Sequence, residues 1–104
     1  MKTRKDLFIV LAGLLLLSGC ASFGRDFRLE AVKSLQNGKT TKLEVLNAFS
    51  TPNRTGFEDG DEVWTYEYSK YTLAKIYTKD LIIRFNKENV VKSYSYSNNF
   101  PEAR

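Results

Sequence analysis

Apolar residues take three different spacings along this chain. From Leu7 to Leu17 they run almost without a break. From Asp26 to Phe49 they recur at steps of three and four, which is helical spacing. From Glu62 onward they alternate with polar residues, which is strand spacing. In the helical stretch, Phe27, Ala31 and Leu35 fall at four-residue steps and Val32 widens the stripe, predicting a helix over 26–37. Asp26 suits its start, where a carboxylate favours the dipole, and Asn37-Gly38 suits a left-handed stop. Thr40 or Thr41 then caps a second helix; with Thr41 at the cap, Thr41-Lys42-Leu43-Glu44 is a capping box. Leu43, Val45, Leu46 and Phe49 form its expected buried arc. It must stop before Thr51-Pro52, because a residue preceding proline avoids helical geometry. Two short helices joined by a Gly-containing turn predict a helical hairpin.

After Asn53 the period is two. Arg54 to Phe57 reads as a short extended piece before the Asp59-Gly60 turn signal. In 62–68, Trp64, Tyr66 and Tyr68 share one face, opposite Val63, Thr65 and Glu67. Leu81, Ile83 and Phe85 share a face of the next strand, and Asn86 to Asn89 is a hairpin turn with Asn89 placed for a left-handed backbone. The last strand, 90–97, has two candidate inner faces: Val90, Tyr94 and Tyr96, or Val91, Ser93 and Ser95. The ten residues Ser69 to Thr78 are too apolar for a solvated loop. One reading, the favoured one, extends the flanking strands into a long hairpin; the other is an amphipathic contact with lipid or protein, where Tyr and Lys are at home. The expected fold is α+β: a two-layer sandwich of an N-terminal helical hairpin on a three-stranded antiparallel sheet, in the order ααβββ.

The leading apolar run changes the meaning of the composition. It is too short for a membrane span, which takes about 20 apolar residues. It follows Lys2, Arg4 and Lys5 and ends at Leu17-Ser18-Gly19-Cys20, the order of a secretory signal, with Asp6 the one departure. The small residues before Cys20, the chain's single cysteine, form a bacterial lipobox. Cleavage leaves Cys20 as the new N-terminus carrying diacylglyceryl and N-acyl lipid, and no other cofactor is expected. Residues 1–19 are thus a lipoprotein signal peptide, 20–25 the lipidated N-terminus and tether, 26–97 the folded domain and 98–104 a C-terminal tail. By the sorting convention, Ala21 rather than Asp after the lipidated residue directs the protein to the periplasmic face of the outer membrane.

Removing the signal leaves 85 residues with 13 basic and 11 acidic side chains, a net charge of +2. The charges are interspersed, which argues against nucleic acid. An 85-residue domain buries only about 60% of its unfolded surface, and no disulfide can help, since the single thiol is committed to lipid. With no histidine and no spare cysteine, the usual transition-metal ligand sets and any Ser-His or Cys-His pair are missing. Glu58, Asp59, Asp61 and Glu62 surround a glycine, which is turn composition rather than a catalytic pair. No metal and no catalytic residue is expected, and the protein is not read as an enzyme.

Gly38-Lys39-Thr40, Val45, Phe49-Ser50-Thr51-Pro52, Trp64-Thr65-Tyr66, Arg84-Phe85-Asn86 and Val90-Val91 follow one another in a pattern that resembles the SmpA/OmlA (BamE-like) family of small outer-membrane lipoproteins. The resemblance covers roughly Gln36 to Tyr96. Gly38, Thr40, Val45 and Phe49 serve the fold in that pattern. The resemblance implies a non-enzymatic scaffold in outer-membrane β-barrel assembly and envelope integrity, with the subunits of the barrel-assembly machine as partners and a link to anionic phospholipid. It places partner contact after the second helix and along the first main strand, at Thr51, Pro52, Asn53, Trp64, Thr65 and Tyr66. The chain departs from the family in three ways. Ser50 stands where Gly is common, Thr65 and Ser69 replace an aromatic and an arginine, and a proline-containing segment before the first helix is missing. Those changes, with the Lys/Tyr-rich 69–78 stretch, support the alternative of a stand-alone envelope lipoprotein that touches lipid or peptidoglycan.

Overall fold

A computed structural model describes residues 21–101. The expected signal peptide, Cys20 and the last three residues of the tail lie outside the described residues. The described chain runs β1 (Ala21–Phe23), α1 (Leu29–Lys33), α2 (Lys42–Phe49), β2 (Arg54–Glu58), β3 (Asp61–Tyr71), β4 (Ile76–Phe85) and β5 (Val91–Asn98). The fold is α+β, with two corrections to the expected architecture. The antiparallel sheet has five strands rather than three, and the helices do not form an N-terminal hairpin, because a strand precedes them. Both extra strands pair with the same edge of β3, β2 against residues 61–65 and β1 against 69–71, while β4 takes the other edge and β5 lies beyond it. Every residue of β1 and β2 is exposed. A strand that buries neither face needs no alternation, so neither announces itself by period.

The first helix is five residues long, not the expected twelve. Phe27 reaches the core from an extended segment before it, and Leu35 from beyond its end. Asp26 does not cap it; its carboxylate takes the Lys79 ammonium at 2.7 Å. The Ser34 hydroxyl donates to the Ala31 carbonyl at the other end. In α2 the capping box forms: the Thr41 hydroxyl accepts from the Glu44 N–H, and the Thr41 N–H donates to the Glu44 carboxylate at 2.9 Å. Thr40 closes the preceding turn instead, accepting from the Gln36 N–H at 2.8 Å. The expected buried arc of α2 holds at Val45 (0% exposed) and Phe49, but Leu43 (67% exposed) and Leu46 face outward.

Eleven apolar residues form one core between the helices and the inner face of the sheet. Six rings meet edge-on or tilted in and against it: Tyr96 on Phe27, Phe27 on Phe49, Phe49 on Tyr66, with Trp64 on Phe85 beside them at 4.8 Å. The register resolves the last strand. Tyr94 and Tyr96 pair with Ile83 and Leu81 and so share the inner face, while Ser93 and Ser95 pair with Arg84 and Ile82 on the outer one. A register shift at Arg84/Phe85 puts Val91, buried opposite Phe85, on the inner face with the tyrosines, so neither candidate set holds whole. The long-hairpin reading of 69–78 holds: β3 runs to Tyr71 and β4 starts at Ile76. Asp59 (φ 53) and Gly60 (φ 86) form the two-residue, positive-φ turn that matches strand twist. Asn89 is left-handed, at φ 62.

Two substitutions on α2 test this packing. Val45→Ala is expected to cost about 2 kcal/mol in urea unfolding, the scale of a buried aliphatic truncation, whereas Leu43→Ala stays within about 0.5 kcal/mol. Equal losses at the two positions would place both on the buried side of the helix.

Ser50, at the end of α2, has φ 69 and ψ −159. That region is essentially confined to glycine and costs other residues about 1–3 kcal/mol. Ser50→Gly relieves it and gives up only an exposed hydrogen bond from Arg25. The expected net gain is about 1 kcal/mol, with no gain for Ser50→Ala. A Gly variant no more stable than the Ala one would show that the backbone there is unstrained.

Candidate functional site

The helix exit and β3 meet at a corner. Pro52 prevents α2 from continuing, and Ser50 turns the chain so sharply that Asn53 lands beside β3. The Asn53 N–H donates to the Thr65 carbonyl at 2.8 Å, and its side-chain carbonyl accepts from the Glu67 N–H at 2.7 Å. Inside the corner, the Tyr66 hydroxyl donates to the Ser50 carbonyl at 2.8 Å. Burial pushes the Tyr66 phenol up, so it stays a donor at any physiological pH. From the outside, Arg25 Nη1 donates to Ser50 Oγ at 2.9 Å. Arg54 pairs with Glu67 next to it.

The six candidate contact residues are therefore split by the sheet. Thr51 and Asn53 are exposed, and Pro52 and Thr65 are half-buried. Trp64 (6% exposed) and Tyr66 (3% exposed) point to the inner face and are spent on the core. What the corner offers a partner is a small polar surface of Thr51, Pro52, Asn53 and Thr65, held from behind by the two buried aromatics. Gly38 (φ +82) docks its turn by donating its N–H to the Val91 carbonyl at 2.7 Å, while Val45 and Phe49 hold α2 on the sheet.

Two contributors to the corner were not legible in the sequence. Gly24 crosses β3 so closely that a Cβ on it would lie 2.1 Å from the Glu67 carbonyl oxygen. In sequence it is one small residue in a tether. Ser50 gave a signal only through its departure from the family's glycine.

Charge is concentrated at the far end of β3. Glu62 accepts from Lys42 and from Trp64 Nε1 (2.9 Å) on the inner side. The Lys42 ammonium also stands over the rings of Phe85 and Trp64 at 5.4 and 5.6 Å. On the outer side Asp61 takes Lys92 at 2.9 Å and Arg84 at 3.3 Å, and Arg84 also reaches Glu58 at 3.1 Å. The Lys42 hydrogen bond, and then that of Trp64, hold the Glu62 carboxyl below its ordinary value of 4.5. The Lys92 hydrogen bond does the same for Asp61, with Arg84 and Lys87 adding their charge. Each acid here has a cationic partner, which is the arrangement of a structural ion-pair network. Among the described residues no group of three or more His, Cys, Asp or Glu side chains is placed to hold a metal ion. No described helix is long and apolar enough to cross a membrane.

A depressed carboxylate stabilises the fold fully above its unfolded pKa and loses that contribution as pH falls through the folded value. Glu62→Gln is thus expected to lower stability at pH 7 and to narrow its gap to the parent as pH falls below 4.5. Urea midpoints measured from pH 7 to pH 3 check this, with Asp61 supplying the acid dependence left in the variant. A pH-independent gap would mean that the Glu62 charge contributes nothing.

A family model described as "Outer membrane protein assembly factor BamE domain" matches residues 27–95, which is 69 of the chain's 104 residues. The match takes in the whole core from Phe27 to Val91 and all six candidate contact residues. No curated protein matches the sequence.

Proposed function

The chain belongs to the BamE domain family, and from that premise we propose that it is a lipid-anchored, non-enzymatic accessory subunit of outer-membrane β-barrel assembly. The family match across the complete core carries this reading. The site supports it in kind: the corner at 50–53 and Thr65 is a braced recognition surface. Asn53 bonds the backbone of Thr65 and Glu67, and the Ser50 carbonyl accepts from Tyr66, so the corner is fixed from within. Its partner is a subunit of the barrel-assembly machine, and its anchor is acyl lipid on Cys20 in the periplasmic face of the outer membrane.

The two buried aromatics give the corner its rigidity. A surface that is already ordered binds without the entropic cost of ordering it. Thr51, Asn53 and Thr65 are small, so the fit there depends on backbone shape more than on long side chains.

Photo-crosslinking in intact membranes tests the assignment. A photoreactive residue at Thr51 or Thr65 is expected to capture a barrel-assembly subunit, and one at Lys33, on α1, to capture none. Capture at neither corner position, with the protein still in the outer-membrane fraction, would favour a stand-alone envelope lipoprotein.

A further inference from the structure

Four of the large apolar side chains that the core leaves exposed lie together at one end of the sheet. Leu73, in the β3–β4 turn, is as exposed as a side chain can be, at 111%. Ile76, Phe23 and Tyr71 are exposed as well. Tyr71 stands opposite Ile76 on β4 and opposite Ala21 on β1, so the three share one face, with Phe23 on that same face opposite Ser69. Nothing in the core calls for this cluster.

Its position relative to the chain start is fixed by pairing. Ala21 is the first residue of β1 and the Cα partner of Tyr71. Paired Cα atoms lie about 5 Å apart, and Cys20 is bonded to Ala21, about 3.8 Å from Cα to Cα. An acyl-bearing Cys20 therefore puts Tyr71 within about 10 Å of the residue whose lipid enters the bilayer. That is about the depth to which interfacial apolar groups sink. The pairing of β1 with β3, continued by the close approach of Gly24 to Glu67, ties the residues after Cys20 to the sheet.

Charge agrees with that orientation. From Ser69 to Thr78 there are two lysines, Lys70 and Lys75, and no acid. The opposite end of the sheet carries five acids, Glu58, Asp59, Asp61, Glu62 and Glu88, interleaved with Lys42, Arg84 and Lys92 in an ion-pair network. Lysine and tyrosine beside exposed aliphatic side chains are the composition of a segment at the headgroup level. The turn also satisfies its own backbone: the Thr72 N–H donates to the Lys75 carbonyl at 3.0 Å, and the Lys75 N–H donates to Thr72 Oγ1 at 3.0 Å. A turn closed in this way can enter an apolar medium without orphaning those groups.

We infer that the β3–β4 hairpin tip is a second membrane contact, in which Leu73, Ile76, Tyr71 and Phe23 enter the bilayer interface beside the lipid anchor. The inference rests on the lipidation of Cys20. It makes the attachment a two-point one: acyl chains supply retention, and the tip fixes the direction in which the domain stands.

The full acylated protein in vesicles of phosphatidylethanolamine and phosphatidylglycerol tests it. With Cys20 blocked by lipid, Leu73→Cys can be labelled singly with an environment-sensitive fluorophore, and Lys87→Cys, at the other end of β4, serves as the comparison. The label at 73 is expected to shift to the blue and to be quenched by brominated acyl chains; the label at 87 is expected to do neither. An acylated chain whose label at 73 behaves as the one at 87 overturns the inference and leaves the anchor standing. A blue shift without quenching by brominated lipid would assign the tip to a protein partner and also overturn it. A chain whose intact mass shows no acyl groups removes the anchor and this inference together.

Discussion

The eleven-residue strand β3 takes strand partners on both edges, and that demand organises the molecule. One edge is served by a single long neighbour, β4. The other is served in two pieces, β2 and β1, which come from opposite sides of the helical layer in sequence. Between the two pieces the edge still has to be closed. Asn53 does so at the Glu67 N–H, using its side-chain carbonyl where a strand would offer backbone, and Gly24 passes over the Glu67 carbonyl with no room for a side chain. The sharp exit from α2 at Ser50 follows from this, since β2 has to start at Arg54 to reach its register against Thr65. The Tyr66 hydroxyl, bonded to the Ser50 carbonyl, ties the exit to the strand it serves.

A domain of this size has a small core, and the chain has no disulfide to add to it. Rings make up the difference. Each aromatic side chain buries more surface than an aliphatic one, and the edge-on contacts add about 0.5–1.5 kcal/mol apiece. The series Tyr96, Phe27, Phe49 and Tyr66 crosses from β5 to β3 through the helical layer. It binds the last strand, the pre-helix segment, α2 and the central strand into one unit. This is why Phe27 belongs in the core although its backbone is not helical. Trp64 and Tyr66, conspicuous in the sequence as large side chains with polar handles, direct those handles inward to Glu62 and Ser50.

Features set by local chemistry were legible in the sequence. The capping box at Thr41 and Glu44, the Asp59-Gly60 turn, left-handed Asn89 and the inner faces of β3 and β4 each depend on residues close together in the chain. The features that were not legible are tertiary. Strand β1 buries nothing, so its evidence lies in pairing rather than in pattern, and β2, legible as a short extended piece at 54–57, gives no sign of its place in the sheet for the same reason. The stripe of Phe27, Ala31 and Leu35 has helical spacing, but Asp26 is drawn to Lys79, fifty-three residues away, and the helix begins only at Leu29. Leu43 and Leu46 are apolar at helical spacing and still face outward, because only one side of an eight-residue helix meets the sheet. Of the candidate site, the exposed corner was legible through a family pattern; the burial of its two aromatics required the register.

The same register sets the distance between the proposed contact corner and the inferred membrane contact. Thr65 and Tyr71 lie on one strand, six residues apart, which is about 20 Å at the rise of an antiparallel strand. With Tyr71 at the headgroup level, the recognition corner would stand up to about 20 Å off the membrane, and the acidic turn at 58–62 farther still. A flexible tether would let that distance vary. The β1 strap removes the freedom by joining the chain start to the strand that carries Thr65. A scaffold that has to present a surface to a neighbour in the same membrane gains from such a fixed height, because fewer orientations are lost on binding. The edge pairing of β3 that shapes the fold would thereby also define where its contact surface stands.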